Sequence, residues 1–441
     1  MLGLFGMLLG LAVLIVLAYK GQSMMWVGPV AALTVALLGG LELLPAYTST
    51  YMSGLVGFVS SWFPMFMLGA MFGKIMEVTG SAHAIARKLS GLIGAERAII
   101  AVVISCGLLV YGGISLFVVV FAIYPIAISL FREANLPRRL IPGCIACGAF
   151  TFSMTAFPGN PQLNNIIPTR YFGTNAMSGA ILGIVGGLIM MVGGIAWLTY
   201  RSKKMVAAGE HFDEPADLKE ASAEEEPNVV MAILPLIVVV LVLNVLPMFV
   251  AFPDDMKSTY SIIIALLCGI ALAAAFNFGR IKDVLKAIND GASSSVPAIM
   301  NTSAVVGFGS VVKAVPAFAI LTEMVLSIQA SPLISLALSV TLLAGATGSS
   351  SGGMGIALEA LGANYMDLAA TMNIDPGAYH RIASIASGGL DSLPHCGAVI
   401  TLLAVTGMNH KKSYADIGMV TVVIPCIATV VVVALGMMGI V

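Results

Sequence analysis

Charge is what this sequence has least of. Lys and Arg number 21 and Asp and Glu 22 among 441 residues, 10% in all. Soluble domains carry about a quarter of their residues as charges, so a soluble globular fold is excluded. The chain has five histidines and six cysteines, Cys106, Cys144, Cys147, Cys268, Cys396 and Cys426. Cys144 and Cys147 form a CxxC, but no His or Cys cluster completes a metal site, and the six read as small buried residues within or beside apolar runs. No HExxH is present, so no metalloprotease signature exists. The opening run MLGLFGMLLGLAVLIVLAYK has no basic residue ahead of its apolar stretch, and reads as a retained first helix rather than a cleaved signal. Nothing points to a prosthetic cofactor, a metal or nucleic acid.

Apolar side chains fill the space that charge leaves. They make up 59% of the chain, and the mean hydropathy is +1.00. They come in blocks of about 20 or more, the length a helix needs to cross a bilayer. The fold class is therefore an all-α polytopic membrane protein. The predicted apolar spans are 2–18, 26–45, 53–79, 97–131, 139–168, 176–199, 228–250, 257–277, 288–328, 333–361, 379–405 and 414–440. Between the sixth and seventh lies a polar stretch, 201–227, with 12 charged residues. It reads as a solvated linker between two halves, 1–200 and 228–441.

The halves resemble each other. SSWFPMFMLGAMFGKI (60–75) has a counterpart in SSSVPAIMNTSAVVGFGSVVKA (293–314), LVYGGISLF (109–117) in AGATGSSSGGMG (344–355), and TAFPGNPQ (155–162) in DSLPHCGA (391–398). Basic residues orient the spans, because cytoplasmic ends are rich in Lys and Arg. Arg87, Lys88 and Arg97 precede the 97–131 run, and Arg132, Arg138 and Arg139 follow it. Both its ends are thus expected on the cytoplasmic side, which makes it a re-entrant hairpin with its tip at Tyr111-Gly112-Gly113. The 333–361 run has poorly basic flanks and is expected to enter from the opposite face. The reading is an inverted-topology repeat, each half with a hairpin (about 97–131 and 333–361) and a broken helix (about 139–168 and 379–405), as in many secondary transporters. Both termini are expected outside and the linker 201–227 in the cytoplasm.

Irregular backbone survives at membrane depth only where protein or a water-filled cavity supplies its hydrogen bonds. Helix N-termini at a hairpin tip favour anions, and Ser and Thr hydroxyls coordinate cations or bond carboxylates. The candidate substrate-binding residues are therefore Tyr111, Gly112, Gly113 and Ser115 in the first hairpin. Pro158, Gly159, Asn160 and Gln162 stand in the first break, and Thr347, Gly348, Ser349, Ser350, Ser351 and Gly352 in the second hairpin. The small residues of either tip also suit helix–helix packing, and the amides of the break can bond freed backbone groups instead of a ligand. Asp391 and His395, flanking Pro394, and Glu359 are the candidates for the coupling ion, because ionisable groups inside a membrane mark ion pathways; hydrogen bonding to substrate or backbone is the other reading of Asp391 and His395, an exposed interfacial carboxylate that of Glu359. Lys74 and Glu77 read as an i,i+3 pair. His380 and Arg381 begin the second broken span, as an outer vestibule or an interfacial anchor.

Three motifs, FPGNPQLNNIIPTRYFGT (157–174), AMFGKIMEVTGSA (70–82) and GSSSGGMGIALEALG (348–362), resemble the gluconate permease (GntP) family of the ion transporter superfamily. The resemblance covers nearly the whole chain. It implies a homodimer, each protomer with a scaffold part and a transport part that moves as an elevator. It implies proton-coupled uptake of a hydroxylated monocarboxylate across a bacterial inner membrane. The twofold repeat argues for alternating access and against an intramembrane enzyme. The first hairpin departs from the gluconate pattern: Val118, Val119 and Val120 stand where a glutamate after paired aromatics is typical. A less polar pocket suits a ligand with fewer hydroxyls, so the chain resembles the branch for short hydroxy acids such as 3-hydroxybutyrate. The alternatives are a gluconate or sugar-acid proton symporter, a sodium-coupled mono- or dicarboxylate carrier, and a passive facilitator.

Overall fold

The computed structural model describes residues 2–20, 22–94, 97–114, 116–214, 227–253, 256–320, 331–394 and 396–441. Ser115, His395 and linker residues 215–226 lie outside the described residues. Among those described there are helices and no strands, and seven helices are long and apolar enough to cross a membrane.

The first half begins with α1 (Leu2–Tyr19), α2 (Met24–Gly39) and the long α3 (Leu43–Val78). A short α4 (Ser81–Ile93) leads to the first hairpin, α5 (Ala98–Tyr111) and α6 (Leu116–Glu133). The first interrupted helix is α7 (Arg138–Ala156) and α8 (Leu163–Phe172), followed by α9 (Ala180–Ala207). The second half runs α10 (Val229–Phe249), α11 (Lys257–Phe276) and the long α12 (Ile281–Ala314). Its hairpin is α13 (Pro332–Thr347) and α14 (Ser350–Met372). Its interrupted helix is α15 (Pro376–Ser387) and α16 (Gly397–Val405), and α17 (His410–Met437) closes the chain.

The pairing of helices repeats when the halves are exchanged. α2 packs on α12 as α11 packs on α3; α5 lies on α7 as α13 lies on α15; α14 meets α8 as α6 meets α16. The two long helices α3 and α12 lie against each other, and so do α9 and α17. One buried apolar cluster joins α1 and α2 to α12, and a larger one holds both hairpins and both interrupted helices.

Several sequence-based boundaries shift. Residues 43–51, expected to straddle two spans, form the first turns of α3, part of them as a π-helix. The span expected over 288–328 is interrupted after Ala314, where Val315 turns extended ahead of Pro316, as the residue before a proline tends to do; residues 318–320 are helical again, and 321–328 lie outside the described residues. The returning arm of the second hairpin, expected to end at 361, continues to Met372, because no proline interrupts it before Pro376; Asn373 then ends it with φ +54°. Tyr365, in this extra length, is buried and bonds Ser335 of the facing arm at 3.0 Å. The α4 helix, absent from the sequence reading, is amphipathic and short. It buries Ala82, Ile85 and Ala86 and leaves Leu92 exposed, so it has too few apolar residues for a span.

Candidate functional site

The first hairpin turns at Gly112 and Gly113. Gly113 has φ +99°, and a Cβ there would lie 3.0 Å from Pro161 Cγ, so both conformation and space require glycine. That contact already shows what faces the tip: the break between α7 and α8. The Tyr111 hydroxyl donates to Pro158 O at 2.9 Å, and Gln162 Nε2 donates to Val110 O at 2.6 Å. Gln162 thus caps the C-terminal end of α5, whose last carbonyls have no helical partner. Gly112 turns the other way, toward Leu236 of α10.

Within the break, Pro158 and Pro161 lack N–H groups, and Gly159 takes φ +81°. The asparagines satisfy what is freed. Asn160 accepts from Gln162 N at 3.0 Å and donates to Phe157 O, and it is fully buried. Asn165 Nδ2 donates to Asn160 O at 2.8 Å and to Ala176 O at 3.0 Å. Of the two readings of these amides, bonding to freed backbone is the one the geometry carries for Asn160. Asn244 of α10 also donates to Gly159 O at 2.9 Å.

The second hairpin turns at Gly348 with φ +61°. Thr347 folds its hydroxyl onto Leu343 O and Ser349 O, and Ser349 caps α14 by accepting from Gly352 N at 3.2 Å. Gly348 and Ser349 to Ser351 are half-buried; Gly352 is buried. Residues 348–352 also spell GxSxG, but a helix precedes them, not the strand that a nucleophile elbow needs. Ser350 faces the carboxyl of Asp391 in the second break. Asp391 is 6% exposed and accepts from Ser392 Oγ at 2.9 Å. Tyr414 donates to Ser392 O at 3.1 Å, and His410 Nε2 lies 2.9 Å from Pro394 O, so the start of α17 folds back over this break.

Each hairpin tip therefore meets the break of its own half, and the two breaks are bonded to each other. Asn164 Nδ2 donates to Ser387 Oγ at 2.7 Å, Ser384 Oγ to Thr155 O at 2.7 Å, and His380 Nε2 lies 3.1 Å from Asn165 Oδ1. A Cβ on Gly388 would lie 3.0 Å from Thr155. Glu359 stands elsewhere. It is exposed, about 13 Å along α14 from Ser350 at 1.5 Å per residue, and bonds the Tyr171 hydroxyl at 3.1 Å. Lys74 and Glu77 pair at 3.0 Å near the end of α3.

His380 and Arg381 are not in an outer vestibule or at an interface. Both are fully buried on α15, at the junction of the two breaks. Their signal in the sequence was two adjacent ionisable residues in an apolar span; the misplacement came from taking a span's first residues as its outer end. Asn164 belongs to the amides read as bonding freed backbone or a polar ligand, and it bonds Ser387; Ser384, Ser387 and Asn244 gave no signal, because isolated small polar residues are common on packed helix faces.

Comparisons with known proteins agree with this architecture. Residues 2–438 match the model of a family described as GntP family permease. The transporter YxjC of Bacillus subtilis, itself uncharacterized, is 41% identical over 94% of this chain and 95% of its own length. The high-affinity gluconate transporter of Escherichia coli is 30% identical, over 35% of this chain and 33% of its own. Among solved structures, the crystal structure of the Alcanivorax borkumensis YdaH transporter, described as having an unusual topology, superposes with a TM-score of 0.61. It covers 90% of this chain at 15% identity.

Proposed function

Because this chain belongs to the GntP family of permeases, and is a multi-pass membrane transporter rather than an enzyme, we propose that it is a proton-coupled symporter. Its cargo is a small hydroxylated monocarboxylate, carried across the bacterial inner membrane. The observation that carries this is the union of both hairpin tips and both breaks at one locus, with the buried carboxyl of Asp391 beside Ser350. Half-helix N-termini at the tips would stabilise the carboxylate of the cargo. Asp391, with His395 close in sequence, would take the coupling proton. Loading both makes the moving part closer to neutral, which lowers the cost of carrying charge through the bilayer.

In this reading the hairpins, the interrupted helices, α9 and α17 form the transport part. The helices α1 to α3 and α10 to α12 form the scaffold, through which two copies of the chain associate. The halves are inverted in the membrane, both termini lie outside and residues 201–227 lie in the cytoplasm. Val119 and Val120 of α6 are buried, which favours a short hydroxy acid of the 3-hydroxybutyrate kind over a polyol acid. Gluconate is the competing cargo, since a related chain bears that name. Sodium is the competing coupling ion, because the serines of the second tip suit it. Proteoliposomes given labelled 3-hydroxybutyrate or gluconate, with a proton or a sodium gradient imposed in turn, test each part. Proton-driven accumulation of 3-hydroxybutyrate is expected. Strong preference for gluconate rejects the substrate assignment, sodium-driven uptake rejects the proton, and flux indifferent to both gradients rejects symport.

A further inference from the structure

Arg381 is the one Lys or Arg side chain among the described residues with 0% of its surface exposed. Its guanidinium is held entirely by backbone carbonyls. Nε donates to Ser178 O at 3.1 Å, Nη2 to Ser178 O at 2.7 Å and to Ala176 O at 3.0 Å, and Nη1 to Ala156 O at 3.2 Å. A guanidinium has five N–H donors, so one N–H on Nη1 has no hydrogen-bond partner among the described residues. No carboxylate pairs with the group among the described residues. The fold reserves this position. A Cβ on Gly179 would sit 2.5 Å from Arg381 Cβ, and one on Gly183 3.1 Å from its Nε.

A buried charge without a counter-charge is expensive to keep. Carbonyl dipoles offset only part of that cost. The unspent donor lies where Ala156 ends α7, two residues before Pro158, whose carbonyl is bonded to Tyr111 of the first tip. Asp391, the buried carboxyl, belongs to the second tip. Among the described residues, the two buried Asp or Arg side chains that lack a counter-charge are therefore divided between the two tip-and-break units. We infer that Arg381 supplies the fixed positive charge for the cargo's carboxylate at the first tip, so that anion and coupling cation occupy separate halves of the site.

This rests on the anion-transport reading, and the test separates the two. Purified protein in nanodiscs is titrated calorimetrically at pH 7 with 3-hydroxybutyrate and gluconate, and with their neutral amides. Wild type is expected to prefer an acid to its amide. In R381Q the acid should bind about 10- to 100-fold more weakly, the range for a charge-assisted hydrogen bond, with amide affinity nearly unchanged. A folded R381Q that keeps the acid preference overturns the inference and leaves the transporter reading intact. Wild type that treats acid and amide alike overturns the anion reading and this role with it. If R381Q does not fold, R381K decides. A buried lysine loses its proton far more readily than arginine, so acid binding to R381K should fall more steeply between pH 7 and pH 9.5 than in wild type, whose own decline reports the coupling proton; parallel profiles overturn the inference.

Discussion

At the scale of single residues, the polar side chains at membrane depth fall into two kinds. Some repair backbone: Asn160, Asn165, Gln162 and Thr347 spend their hydrogen bonds on carbonyls and amides exposed by the breaks. Others hold charge in reserve, as Asp391 and Arg381 do. The distinction sets different outcomes. N160A should destabilise the folded protein by about 1–3 kcal/mol, the penalty for unsatisfied buried groups, and lower uptake in proportion to folded protein; an uptake defect in fully stable N160A would show a ligand contact instead. D391N should cut proton-driven accumulation by at least about 10-fold, since each 1.4 kcal/mol lost is a decade, while cargo exchange without a gradient persists. Counterflow and gradient-driven uptake, measured side by side, separate these. G113A combines φ +99° with a 3.0 Å contact. A loss of about 1–3 kcal/mol is expected from the strain, read as a lower melting temperature.

At the scale of elements, the linker proves to be more than a spacer. Helix α9 takes up its first residues, to Ala207, and residues 210–214 then dock on the turn between α6 and α7. Arg132 holds Glu214 through two 2.7 Å bonds, Arg138 meets Asp213 at 3.1 Å, and Arg139 meets Glu210 at 2.5 Å. Asn135 accepts from Phe212 N, and Arg132 lies over the Phe212 ring at 5.6 Å. The hydrogen bonds from Arg132 hold the Glu214 carboxyl below its usual pKa. A depressed carboxylate contributes above its unfolded value, near 4.3, and the contribution is lost as pH falls through the folded value. Exposed pairs of this kind are also screened, because the Debye length shrinks from about 10 Å to 3 Å between 0.1 and 1 M salt. Proteolysis at the linker should therefore quicken at 1 M salt, and again as pH drops below about 4. Rates that ignore both would show that Phe212 and Asn135 alone hold the strap.

At the scale of the whole molecule, few polar contacts join the helices read as scaffold to those read as transport part. Arg170 of α8 bonds Ser61 of α3, Lys313 of α12 donates to Glu359 O at 3.2 Å, and Asn244 reaches Gly159 O. Sliding of one part along the other requires each of these to break. A reducible bifunctional thiol crosslinker, long enough to replace the arginine's reach, joined to cysteines at positions 61 and 170 in a chain freed of its six native cysteines, should block transport and release it on reduction. Full activity with the crosslink complete would reject rigid-body movement.

The sequence by itself determined that the chain is helical and lives in a membrane, because scarce charge and long apolar blocks admit little else. It also marked both hairpin tips and both breaks, since glycine at Gly113 and Gly348 and proline at Pro158 and Pro394 punctuate backbone locally. Only the tertiary structure decided which polar groups meet. Arg381 and Ala156 are 225 positions apart, and His380 and Asn165 are 215 apart; no local pattern records such a pairing. Likewise the docking of Glu210, Asp213 and Glu214 depends on what lies alongside. A helix period or a charge count describes a segment, whereas burial and hydrogen bonding belong to the packing of one segment on another.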